Sequence, residues 1–365
     1  MSRARTFADL ATASEAGNLG QTNLIINGDM SVAQRGTSST SDGFYTVDRW
    51  SIYASQTEIT QTQQSLTSGS PYELGFNNFA RMAVTSASNN AGAYAQFQQP
   101  VEAQFIANSG WNFKSSSSFV TLSFWARSSL AGTYFAFFQS QDGTGYIRAK
   151  DFALSADTWT KVSLTFEGNS NLTINDDNGV GLYITIVPHY GTTYTGSGGN
   201  ASTTTWYTLS NNKYLPTDFA QNWGNTSSAT FDITGCQLEL GQVATPYKHE
   251  NFADNLKRCR RYYQQYDATN AYTRFALGVA YDGSSIAAPL NLPIKMRAAP
   301  TFASSGNFDT LPDTIDLDTF SVQHATADMV EFRATDSGNG LTTNRPYVIR
   351  SDNDTSAKIQ FISEL

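Results

Sequence analysis

Two cysteines, Cys236 and Cys259, are all that 365 residues contain. A single pair in a chain this long builds no disulfide framework, and both fall on apolar faces, so they read as buried thiols. Histidine is nearly as scarce. His189, His249 and His324 lie far apart, with no HExxH or CxxC around them. A zinc-type site, or a nucleophile activated by histidine, has little to be built from, and no GxSxG elbow occurs. Charged residues make up only 15%, and a net charge of -8 leaves no basic face for nucleic acid. The cations Lys257, Arg258, Arg260 and Arg261 cluster toward one helix C-terminus, where they complement the helix dipole. No run of about 18 apolar residues exists, so no membrane insertion is expected. The first residues carry basic side chains without an apolar stretch, so no signal peptide is expected either. Synthesis in a cytoplasm follows, with lysis as one route outward. Crossover helices are missing as well, which excludes a parallel α/β sheet.

What remains is rich in Ser, Thr, Asn and Gly, with aromatics at 13%. That mixture suits half-buried pleated surfaces joined by many turns, and so many aromatics oppose disorder. The length allows two domains. From Asn78 to Val187 strands follow one another: FARMAVTSAS, AYAQFQQPVEAQFI, FVTLSFWARSS, TYFAFFQSQ, YIRAKDFAL, TWTKVSLTFEG and GLYITIVPH. Asn89-Asn90, Gln141-Asp142-Gly143 and Asp176-Asp177-Asn178-Gly179 punctuate them. Such spacing predicts an all-β jelly-roll sandwich. Trp125 and Trp159, inside strand patterns, are assigned to the core. Upstream, Asp48, Arg49 and Trp50 predict an internal ion pair beside an indole ring.

The Asp176 cluster invites a calcium reading, but an EF-hand frame would place an acid at 174 and Glu at 185. Ile174 and Thr185 stand there. A tight turn is the default. No cofactor is expected; a structural calcium of the jelly-roll kind stays open without a motif behind it.

Residues 189–228 break the rhythm with a Gly/Ser/Thr/Asn excursion carrying many rings. Tyr190, Tyr194, Trp206, Tyr207 and Trp223 are the candidates for glycan contact, since aromatic faces stack on sugar C–H patches. The opposing expectation is that such rings close one end of the sandwich or fill subunit contacts.

The stretch ATFDITGCQLELGQVATPYKHENFADNLKRCRRYYQQY, from Ala229, joins two halves. Phe231, Ile233, Cys236, Leu238 and Leu240 define a strand in which Gly235 shifts the alternation, predicting a bulge or a close backbone approach. A helix follows, capped by Asn251 with Asp254 three residues on. Phe252, Leu256, Cys259, Tyr263 and Tyr266 recur at helical spacing. The expected organisation is a short helical segment over 1–20, a jelly roll over 21–247, a linking helix over 248–267 and a smaller β domain over 268–365. In the first segment Phe7, Leu10 and Ala11 share a face, too short to be stable alone, which marks them for attachment to something.

NLIINGDMSVAQRG, DRW, TLSFWARSSLAGTY and the junction stretch together resemble bacteriophage tail-fibre and related virion-fibre proteins over most of residues 22–300. The resemblance implies a jelly roll similar to carbohydrate-binding modules, a helix and a C-terminal β domain. It also implies a homotrimer, contact with other virion proteins and recognition of a host cell-surface glycan, without enzymatic activity. Phe252, Leu256, Cys259 and Tyr263 would then line the trimer axis. A head-fibre or capsid-decoration protein is the alternative. A fibre-borne polysaccharide depolymerase is a further one, because hydrolysis needs only two placed carboxylates; the β-helix repeats usual for such enzymes are missing.

Overall fold

The computed structural model describes residues 23–365. The expected 1–20 segment, with Phe7, Leu10 and Ala11, lies outside them. Two compact units divide the chain, one reaching to Asn255 and the other running from Leu256 to Glu364.

The first unit is a jelly-roll sandwich of two antiparallel sheets. One holds β1 (Ser38–Ser39), β3 (Glu58–Ser65), β4 (Asn78–Ser86), β6 (Phe119–Ser128), β9 (Thr160–Glu167) and β12 (Thr230–Leu240). Its strand order is β1-β3-β4-β12-β6-β9. The other holds β2 (Ser51–Ser55), β5 (Tyr94–Glu102), β7 (Gly132–Ser140), β8 (Tyr146–Leu154), β10 (Val180–Tyr190) and β11 (Tyr207–Thr208). Its order is β11-β8-β7-β10-β5-β2. Alternation decides which side chains meet between the sheets. On β5, Ala95, Phe97 and Val101 turn inward; on β10, Leu182, Ile184 and Ile186 do the same. Phe124, Phe138, Phe166 and Phe231 fill the middle, with Phe138 and Phe166 stacked at 3.9 Å between centroids. Each such ring or branched side chain contributes about 1.5–3 kcal/mol by leaving water.

Trp125 and Trp159 are half-buried and lie outside that core. They pack on a smaller cluster of Leu66, Phe76 and Phe79. Asp48, Arg49 and Trp50 are all buried. Trp50 joins the core and donates its Nε1–H to the Asn27 carbonyl at 3.2 Å. Arg49 donates to the Pro100 carbonyl at 2.8 Å, and Asp48 accepts from the Gln34 backbone N–H at 2.9 Å.

β12 bulges where the alternation shifts. Its pairing with β6 skips between Thr234 and Gln237, and Gly235 sits at φ +63°. A Cβ there would lie 2.7 Å from Phe76 Cζ, so the close approach is real. Cys236 and Cys259 are buried thiols outside any disulfide, and burial pushes the Cys236 thiol well above its ordinary value.

The second unit contains β13 (Tyr263–Asp267), β14 (Arg274–Ala280), β15 (Ser285–Asn291), β16 (Thr301–Ser305) and β17 (Phe308–Leu311). β18 (Thr319–Ala325), β19 (Met329–Thr335), β20 (Pro346–Ser351) and β21 (Lys358–Ile362) follow. They form a small sheet, β13-β21-β16, and a larger one, β17-β20-β14-β15-β19-β18. Phe302 and Phe332 stack at 5.2 Å, and Phe308, Ile349 and Phe361 are buried with them.

The junction helix is shorter than its spacing predicts. It spans Phe252–Arg260, and the cap is as expected, with the Asp254 N–H donating to Asn251 Oδ1 at 2.9 Å. Tyr263 and Tyr266 belong to β13, paired with Ile362 and Ile359 of β21. A sheet partner far along the chain overrides the local helical period. The proposed axial stripe therefore does not exist as one helix face. Phe252 is 58% exposed, Leu256 is half-buried, Cys259 is enclosed, and Tyr263 sits in a strand where it accepts from Gln360 Nε2 at 2.6 Å.

Candidate functional site

The 189–228 excursion folds back over the second sheet, on the side facing away from the core. Phe135, Phe137, Ile147 and Ala149 of β7 and β8 are covered there by Tyr207, Leu215 and Phe219. This explains the fate of most candidate rings. Trp223 is fully buried in the main core, and Trp206 joins it while donating its Nε1–H to the Glu167 carbonyl at 2.9 Å. Tyr207 and Tyr190 are buried as well, the latter donating its hydroxyl to Gln96 Oε1. Trp206, Tyr207 and Trp223 are staples of the excursion, with no face left for a ligand. Tyr194 alone of the five stays half-exposed.

The other half of the same face is uncovered. Tyr53 on β2, Tyr94, Gln96 and Gln98 on β5, and Tyr183 on β10 are all half-exposed. The β2–β5 register sets Tyr53 opposite Gln96 and Ser51 opposite Gln98, and Gln98 continues to Thr185. Gln98 donates to Thr185 Oγ1 at 3.2 Å, which fixes its amide. Tyr194 and Tyr214 stand along the border, and with Tyr94, Gln96 and Tyr190 they line a hollow of about 280 Å³. The rings of Tyr94 and Tyr194 meet edge-on at 5.8 Å, those of Tyr190 and Tyr214 at 5.9 Å.

Burial pushes the hydroxyls of Tyr53, Tyr94 and Tyr183 upward, with Tyr183 and Asp42 adding to the effect at Tyr53. They stay protonated at neutral pH and can both donate and accept. The face thus offers flat rings, amides and hydroxyls without a cation among them, a chemistry suited to a neutral, hydroxyl-bearing chain.

These positions carry a legible signal. In AYAQFQQP, Tyr94, Gln96 and Gln98 alternate with Ala95, Phe97 and Gln99, so a polar-aromatic face was written at period two. The Asp176 cluster is a hydrogen-bonded turn: Gly179 N–H donates to Asp177 Oδ1 at 2.9 Å, and Asn108 Nδ2 to Asp176 Oδ1 at 2.7 Å.

At one end of this sheet His189 is 8% exposed, between Phe219 and Gly224. Burial lowers its pKa to about 4 from an ordinary 6.5. The unfolded chain therefore takes up this proton first as pH falls. The contribution to stability is fully present above about 6.5 and drains away toward about 4. Urea midpoints at pH 7 and pH 4.5 are expected to separate more for wild type than for His189→Gln. Equal separations would refute this.

The first unit is thus a β-sandwich of the jelly-roll class, bearing a tyrosine- and glutamine-lined sheet face. Neither a family model nor a curated protein matches the chain. Solved structures match part of the chain at low identity. The N-terminal cellulose-binding domain of a β-1,4-glucanase from Cellulomonas fimi is 12% identical, matched over 59% of this chain and 99% of its own, with a TM-score of 0.29. A cyclase from Fischerella sp. TAU is also 12% identical, over 62% of this chain and all of its own, at 0.35. The CBM22-1–GH10 modules of a Clostridium thermocellum xylanase match over 60% of this chain and 30% of their own, at 10% identity and 0.29. At such scores the likenesses carry no argument about ligand or chemistry.

Proposed function

We propose that the protein is a glycan-binding fibre or adhesin of a virion, a homotrimer joined to its particle by the N-terminal segment, with a sugar chain lying on the open half of the second sheet. The observation that carries the glycan part is that uncovered face, where Tyr53, Tyr94 and Tyr183 surround the amides of Gln96 and Gln98. The virion part is supported by the fibre resemblance. Two of its segments, NLIINGDM and DITGCQLEL, are hydrogen-bonded to each other, Cys236 N–H donating to the Gly28 carbonyl at 2.8 Å. The reading is one of binding without turnover.

Two partly exposed rings stacking on a sugar are worth about 2 kcal/mol together, or about thirtyfold in affinity. Tyr53→Ala with Tyr183→Ala is therefore expected to weaken binding to the best glycan on an array by that factor, measured by calorimetry, with the melting temperature little changed. Undiminished affinity would place the ligand elsewhere. Light scattering at micromolar concentration tests the trimer, and a monomer would remove it. Release of new reducing ends from host envelope polysaccharide would overturn the binding-only reading.

A further inference from the structure

Beside the tyrosine face, a second cleft of about 150 Å³ opens at the end of the sheet, lined by His189, Asp218, Phe219, Asn222 and Asn225 among others. Tyr190 lines both hollows, so they adjoin at that residue. Nδ1 of His189 is buried without a hydrogen-bond partner. That is a costly state for a buried polar atom unless something else occupies the space beside it. The side-chain amides of Asn222 and Asn225 make no hydrogen bond to the described residues, whereas Asp218 is fixed by the Thr195 hydroxyl, which donates to its Oδ1 at 2.5 Å. No lysine or arginine lines the cleft, which disfavours an anion. A single carboxylate is too little for a hard cation, which takes several oxygen ligands. Amides, one carboxylate, an imidazole and the Phe219 ring together match one neutral, polyhydroxylated unit.

We infer that this cleft seats the terminal residue of the glycan chain whose body lies on the tyrosine face, so that the protein reads chain ends and not chain interiors. The inference rests on the glycan reading above. The volume admits a single unit, and the shared lining residue Tyr190 sets the cleft next to the face. The interior of a long polymer has no free end to place there.

The test uses the full chain and three variants: Tyr53→Ala with Tyr183→Ala, Asn222→Ala with Asn225→Ala, and His189→Gln. Binding is measured to the best oligosaccharide from a glycan array and to the same oligosaccharide with its non-reducing terminal residue enzymatically removed or capped by a bulky 4-O-substituent. Because Asn222 and Asn225 are exposed, their variant is expected to keep the wild-type melting temperature. It should bind the intact oligosaccharide about tenfold more weakly, the loss of two neutral hydrogen bonds. Wild type should discriminate against the capped form by a similar factor, and His189 imidazole ¹⁵N resonances should move on adding the intact form alone. If the asparagine variant binds as wild type does and capping has no effect, while the tyrosine variant is weakened, the face reading stands and chain-end recognition is overturned. If no array glycan binds, or neither variant changes the affinity, both readings fall together.

Discussion

Gly28→Ala is expected to destabilise the first unit by about 4 kcal/mol, lowering its melting temperature by on the order of 10 °C. A Cβ built on Gly28 would lie 2.0 Å from the Cys236 carbonyl oxygen and 3.0 Å from its carbon, with Tyr247 Oη at 3.2 Å. Two of these are backbone atoms of a central strand, so relief requires the chains to separate. Several bonds would go with that separation. Cys236 N–H donates to the Gly28 carbonyl at 2.8 Å and Leu24 N–H to the Leu238 carbonyl at 3.0 Å. Asn23 accepts from Leu238 N–H at 3.0 Å and donates to the Cys236 carbonyl at 3.1 Å. The helix cap region is tied to the same turn. Asn255, buried, accepts from Asn27 N–H at 3.1 Å and donates toward Asn27 Oδ1, Asp29 Oδ1 and Ser31 Oγ at 2.9–3.2 Å. Gly36 is the internal control: nothing lies within 4 Å of its hypothetical Cβ, so Gly36→Ala costs only backbone strain, about 1 kcal/mol. Chemical denaturation decides it. A Gly28→Ala loss no larger than that of Gly36→Ala would sink the argument.

This junction shows what could be read from the residues alone. The strand with its shifted alternation, the Asn251 cap and the all-β sandwich were legible, because each depends on local periodicity and on side chains a few residues apart. The union of Asn27-Gly28 with Gly235-Cys236 was not, since it is made by segments two hundred positions apart and leaves no periodic mark on either. The end of the helix failed for a related reason. Tyr263 and Tyr266 keep helical spacing with Leu256 and Cys259, and only the distant partner strand β21 makes them sheet residues. Three of the five glycan-contact candidates are removed by burial. Trp206, Tyr207 and Trp223 look exposed within a loop-rich composition, yet they are what holds that loop down, while Tyr53, Tyr94 and Tyr183 are half-exposed on the outward positions of strands.

Asp232→Ala is the second change expected to be severe, at about 3 kcal/mol. The ladder sets Asp232 directly opposite Arg81 on β4 and Arg127 on β6. Its side chain is 1% exposed, against 29% and 26% for the two arginines. Arg81 donates to both carboxylate oxygens, at 2.7 and 2.9 Å, and Arg127 Nε to Oδ2 at 2.9 Å. The bond to Asp232 also holds the Arg81 guanidinium above its ordinary pKa. Removing the carboxylate leaves two like charges flanking an empty central position, and breaking such a pair costs about 3–5 kcal/mol when the survivors are buried. Water reaches these arginines from one side, and Phe79 and Trp159 lie under them at 4.7–5.5 Å from guanidinium to ring centroid, so the lower end of that range applies. The network confers little net stability of its own, because its Coulomb gain is offset by the desolvation of Asp232. The triple variant Asp232→Leu, Arg81→Met, Arg127→Met should therefore recover most of the loss, and recovery separates the cost of orphaned charge from lost packing. Equilibrium urea unfolding measures all three proteins. An Asp232→Ala variant within 1 kcal/mol of wild type, or a triple variant no better than the single one, would contradict this account.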